Sequence, residues 1–121
     1  MAITKQILEN TITYSLDNEK VLFVSIDRSE NFTLKIDGAI KTLVAPCLDE
    51  VIKDALSENS DFYIDLSGVT YIASAGLRVL LNMQQDIDEN EKPEVTLINV
   101  PDSVKDVFEQ TGFVNILNIQ E

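Results

Sequence analysis

The stretch Asp65-Leu66-Ser67-Gly68-Val69-Thr70-Tyr71-Ile72-Ala73-Ser74-Ala75-Gly76-Leu77-Arg78-Val79-Leu80-Leu81 decides the fold. It begins as the end of a strand, Asp61 to Leu66, and breaks at a Ser67-Gly68 turn. It then runs through Val69, Tyr71 and Ile72 into a helix starting near Ser74. Along that helix Leu77, Leu80, Leu81, Gln84 and Ile87 share one stripe, and Arg78, Asn82, Gln85 and Glu89 share a polar one. One face packs; the other meets solvent or a partner.

Upstream, a second helical period starts at Val44, with Val44, Cys47, Leu48, Val51, Ile52 and Ala55 on one side and Asp49, Glu50, Lys53 and Asp54 opposite. Before it, Thr11 to Leu16, Lys20 to Ile26 and Asn31 to Asp37 read as short strands divided by polar, turn-like clusters. Residues ahead of Thr11 read as a short helix or a loose arm. Downstream, Pro93 closes an acidic linker, Asp88 to Glu91, and Val95 to Val100 is an apolar strand. Pro101-Asp102-Ser103 reads as the cap of a third helix that Gly112 stops, and Asn115 to Ile119 as a last strand.

This order predicts an α/β fold: a mixed β-sheet, with N-terminal antiparallel strands and parallel βαβ units, covered by amphipathic helices. In open sheets of this kind ligands bind at the carboxyl ends of the strands, which points to Ser67–Gly76.

With 121 residues, 45% of them apolar and 25% charged, the chain suits one domain with one core. Neither a secretory signal nor a run of about 20 apolar residues is visible, so the expected location is the cytoplasm, with no insertion into a membrane. There is one cysteine and no histidine, which excludes an intrachain disulfide, a zinc cluster and every histidine-dependent catalytic scheme. Cys47 reads as a small buried residue or as a reactive thiol. The net charge of −12 opposes binding to nucleic acid or anionic lipid. Asp61 and Asp65 are the acids to consider as metal ligands or general bases, but no glycine-rich phosphate loop or recognisable nucleophile accompanies them. No cofactor, metal or enzymatic activity is expected.

The quoted stretch resembles the hallmark of the STAS family, in which a strand runs through a conserved loop into a helix. In anti-sigma factor antagonists that segment ends in an Asp-Ser-Ser-Gly-Leu motif or a Ser-Ala-Gly-Leu variant, here Ser74-Ala75-Gly76-Leu77. Leu34 to Pro46 is similar to the family's strand, glycine-containing turn and helix entry, with Gly38 and Ala45-Pro46 in place. Val104 to Phe113 resembles its closing helix, including the Thr111-Gly112 ending. The resemblance covers residues 21–121 of a single domain, with 1–20 as an N-terminal extension or extra strand.

The resemblance implies partner switching. The unmodified domain binds an anti-sigma factor that is also a serine kinase, phosphorylation at the start of the second helix breaks the complex, and a serine phosphatase restores it. Carried over, the phosphoacceptor is Ser74, and Ala73, Ala75, Gly76, Leu77, Arg78, Asn82 and Lys41 meet the partner. The serine usually modified directly precedes the glycine, where this chain has Ala75, and the motif's acidic positions are Ala73, Ala39 and Lys41. From the residues alone Ser74 also reads as a helix N-cap, worth about 1 kcal/mol. A second function for the same fold is a scaffold or adaptor subunit of a transporter or signalling assembly that is never phosphorylated.

Overall fold

The computed structural model describes residues 3–58 and 60–120. Six strands, β1 (Ile3–Leu8), β2 (Thr11–Leu16), β3 (Glu19–Asp27), β4 (Thr33–Ile40), β5 (Phe62–Ile72) and β6 (Val95–Ile98), form one sheet in sequence order. The first four pair antiparallel, and β4, β5 and β6 pair parallel. The helices α1 (Ala45–Glu58) and α2 (Ser74–Asn90) are the crossovers between the parallel strands, and α3 (Asp102–Thr111) follows β6. Right-handed crossovers that all step the same way across a sheet lay their helices on one face. Burial agrees: Leu34, Ile36, Ile64, Leu66 and Leu97 are at most 1% exposed, while the alternate Lys35, Asp37, Tyr63, Asp65 and Ile98 reach the surface of the open face. The fold class is the mixed, helix-covered α/β sheet that the sequence predicts.

The predicted helix or loose arm before Thr11 is a strand. Ile3 to Leu8 pair in unbroken register with Leu16 to Thr11, and Glu9 at φ 50° makes the hairpin turn. Six residues with apolar groups at Ile3, Ile7 and Leu8 carry too little periodicity to separate the two states.

The predicted Ser67-Gly68 turn is the middle of β5. Burial runs Phe62, Ile64, Leu66, then Val69, then Ile72, so the strand admits an extra residue twice, and its register with β4 shifts twice. Gly68 permits this, because a Cβ there would fall on the Asp37 carboxylate. Likewise β4 continues through Gly38, predicted as a turn, to Ile40. Gly38 sits at φ 121° with its Cα against β3, where a Cβ would lie 2.8 Å from the Val21 carbonyl oxygen.

Helix α2 overruns the predicted acidic linker to Asn90 and ends on Glu91 in the left-handed region, φ 50°. Its buried stripe is Gly76, Leu77, Val79, Leu80, Met83 and Ile87, so Leu81 and Gln84 lie at the margin and not in the packed face. Helix α3 begins after an extended Pro101 with no side-chain cap, and Gly112 at φ 79° ends it as predicted. In place of a final strand over Asn115 to Ile119, a 3-10 turn at Phe113–Asn115 leads to a single parallel bridge between Ile119 and Leu97.

Candidate functional site

Strands β4 and β5 end side by side, Ile40 opposite Ile72. After Ile40, Lys41 enters a 3-10 turn, Thr42–Val44, that leads into α1. After Ile72, the Ala73 N–H donates to the Ile40 carbonyl at 2.8 Å, carrying strand pairing one residue beyond β5. That bond holds Ala73 extended, φ −80° and ψ 165°, and makes it the residue that caps α2: its carbonyl accepts the Leu77 N–H at 3.0 Å. Ser74 is therefore the first helical residue. Its reading as N-cap fails, since the cap position carries no side-chain hydrogen bond and is one residue earlier.

This junction sorts the residues that the sequence singles out. Ala73, Gly76 and Leu77 are buried, at most 8% exposed for Ala73 and Leu77, and position the helix start. Gly76 is required there: a Cβ would stand 2.7 Å from Ile40 Cγ2 and 2.9 Å from Ile72 Cγ1. Ser74, Arg78, Asn82 and Lys41 are exposed, with Ala75 half-buried between them. Ser74 and Arg78 stand one helical turn apart on the same face.

Beside them an open groove of about 530 Å³ runs between α1 and α2, floored by Ile52, Leu56, Ala75, Val79 and Met83 and rimmed by Arg78 and Asn82. Two acids of the rim are neutralised, Asp49 by Lys53 and Asp86 by Lys92, each at 2.9 Å. The hydrogen bond from Lys92, helped by one from Asn90, holds the Asp86 carboxyl below its usual range. Arg78 and Lys41 make no ion pair among the described residues, so a chain with a large negative charge presents free positive charge at this junction. Leu43 and Tyr71, 46% and 55% exposed, add apolar surface at the strand ends. Neither stands out in the sequence as a candidate site residue. Leu43 lies in a turn without periodicity, and Tyr71 read as part of the approach to the helix.

The remaining candidates have structural duties. Asp61 accepts the Glu94 N–H at 2.8 Å, and Asp65 accepts the Ser67 N–H at 2.8 Å and the Asn99 amide at 3.1 Å. Cys47 is buried in the core under α1, and burial pushes its thiol up, away from the reactive thiolate. No helix among the described residues is long and apolar enough to cross a membrane.

The architecture recurs in known proteins. The anti-sigma-B factor antagonist of Staphylococcus aureus is 26% identical over 91 residues, which are 74% of this chain and 83% of that protein. The crystal structure of an anti-sigma factor antagonist from Mycobacterium paratuberculosis superposes with a TM-score of 0.72 at 17% identity, covering 87% of this chain and 88% of the other. The Bacillus cell fate determinant SpoIIAA in its phosphorylated form gives a TM-score of 0.57 at 13% identity over 81% and 91% of the two chains. The family model of the STAS domain matches residues 5–121, a span that takes in most of β1 as well as the strand–helix junction around Ser74; the chain belongs to the STAS domain family.

Proposed function

We propose that this chain is a cytoplasmic anti-sigma factor antagonist that docks an anti-sigma factor with serine kinase activity on the start of α2, and that phosphorylation of Ser74 releases it. One observation carries the reading. Ser74 stands exposed at the first turn of a helix whose neighbouring residues are locked into the core, with a hydroxyl that makes no hydrogen bond among the described residues. A kinase therefore meets an accessible acceptor on a rigid mount. The phosphoryl group adds about −1.5 to −2 charge at the centre of the docking surface, so a partner packed there loses contact through desolvation and repulsion. The free N–H groups of the first turn and Arg78 one turn later make the modified form tolerable within the domain. A serine phosphatase resets the cycle. The function needs no catalytic group in this chain; the chemistry belongs to its partners.

Incubation with the anti-sigma factor and ATP tests this. Phosphate is incorporated into the intact chain and not into Ser74→Ala, and Ser74→Asp weakens the complex by about tenfold or more. If the intact chain takes up no phosphate yet binds as tightly as Ser74→Asp, the switch is wrong.

Ala75 favours a second reading. It occupies the position of the usual acceptor and has no hydroxyl, as befits a constitutive scaffold or adaptor that is never phosphorylated. Stable co-purification with a transporter or signalling assembly, indifferent to Ser74→Asp, would select it.

A further inference from the structure

The two edges of the sheet are finished differently. At β6 the C-terminal segment lies along the strand: the Leu97 N–H donates to the Asn118 carbonyl at 2.8 Å, and the Gln120 N–H donates to the Leu97 carbonyl at 2.9 Å. At the other edge no described residue pairs with the outer side of β1, and all six of its residues are exposed, Ile3, Ile7 and Leu8 by 46%, 60% and 63%. Natural edges are blunted by proline, bulges, short length or outward charge. Here the register with β2 is unbroken across all six residue pairs, and the strand holds no proline, glycine or acid. Its single charge, Lys5, is turned back onto α1, with Nζ 2.8 Å from Glu50 Oε1.

We propose that β1 is a self-association edge, pairing antiparallel with β1 of a second copy about a two-fold axis to make one sheet across two chains. The sequence of the strand suits its own copy. An axis perpendicular to the sheet keeps the helix-covered faces together, and a register centred on Lys5 sets Ile3 opposite Ile7 of the second copy and Ile7 opposite its Ile3. Both apolar residues left uncovered beside α1 then find partners on the same face. The two lysines meet as ion pairs with their own Glu50 side chains, not as bare like charges. Elsewhere copies with a net charge of −12 repel one another, and the acid-free edge is where they approach at least cost. Because the β6 edge is occupied, pairing closes at two chains and does not propagate.

Sedimentation equilibrium of the full chain, from micromolar to millimolar concentration at low and high sodium chloride, tests the proposal. A monomer–dimer equilibrium is expected that shifts toward dimer with added salt, since screening removes the repulsion between two acidic chains. Replacing both exposed residues, Ile3→Lys with Ile7→Lys, is expected to weaken dimerisation by about tenfold or more while circular dichroism shows the same fold. A nitroxide placed on Gln6→Cys is expected to show dipolar broadening in the dimer. A chain that stays monomeric at millimolar concentration in high salt overturns the proposal. So does a dimer that is indifferent to the double substitution, or one that leaves the Gln6→Cys label unbroadened.

Discussion

Ser74 and Gly76 are two residues apart and do opposite work. Because Ser74 caps nothing, Ser74→Ala is expected to change stability by less than about 0.5 kcal/mol, against about 1 kcal/mol for the loss of a true N-cap. Urea denaturation separates the two, and a large loss would mean that the hydroxyl has a structural partner. Gly76→Ala would usually gain about 1 kcal/mol in a helix interior. Here the added methyl drives into Ile40 and Ile72, and a net loss of roughly 1–3 kcal/mol is expected. Tyr14 offers a third case: it is 1% exposed, and its hydroxyl finds no hydrogen-bond partner among the described residues. Tyr14→Phe removes that orphan and is expected to stabilise the fold by about 1 kcal/mol. Burial also holds the phenol above its ordinary value near pH 10. Below that value both states keep the proton; above it the unfolded phenol ionises first, so stability falls as pH rises toward the folded value. Lys5, raised chiefly by its hydrogen bond to Glu50, loses its contribution in the same direction. Melting between about pH 9 and 11 is therefore expected to fall less steeply for Tyr14→Phe than for the parent.

At the scale of elements, helices were legible and strand interiors were not. The face of α1 from Cys47 to Ala55 and the start of α2 near Ser74 follow from period alone, because fourteen and seventeen residues average out local exceptions; Val44, read as the first residue of that face, lies in the 3-10 turn before α1. Glycine misled twice. Gly38 and Gly68 look like punctuation, yet each sits inside a strand where a neighbouring main chain or carboxylate needs the missing side chain, a fact that lives in the pairing of β3, β4 and β5. Ser74 misled for a related reason: the bond from Ala73 to Ile40 chooses the capping residue, and it joins two strands remote in sequence. Exposure at the candidate site was legible where side chains alternate on a helix, as with Arg78 and Asn82. It was hidden where exposure depends on tertiary neighbours, as with Leu43 and Tyr71. The end of α2 carries its own prediction. Glu91 adopts φ 50°, which costs an L-residue roughly 1 kcal/mol, and Glu91→Gly is expected to recover about that much in denaturant unfolding.

Across the whole molecule, stability is graded along the sheet. Strands β4 and β5 are flanked on both sides and covered by helices, while β1 is bound through one edge only. In the dilute monomer, amide hydrogen exchange is expected to be slowest in β4 and β5 and fastest in β1, and equal protection throughout would contradict this gradient. Strand order also has a bearing on what sort of molecule the upper rim of the sheet can receive. Doubly wound nucleotide binders reverse their winding partway, and the helices diverging from that reversal leave a slot in which a small molecule sinks. Here the strands run from first to last with no reversal, so no such slot opens over the sheet, and the recess beside the rim is the open groove between α1 and α2. Under the proposed switch that rim would be read by another macromolecule, and a single phosphate on Ser74 would be large enough there to be felt.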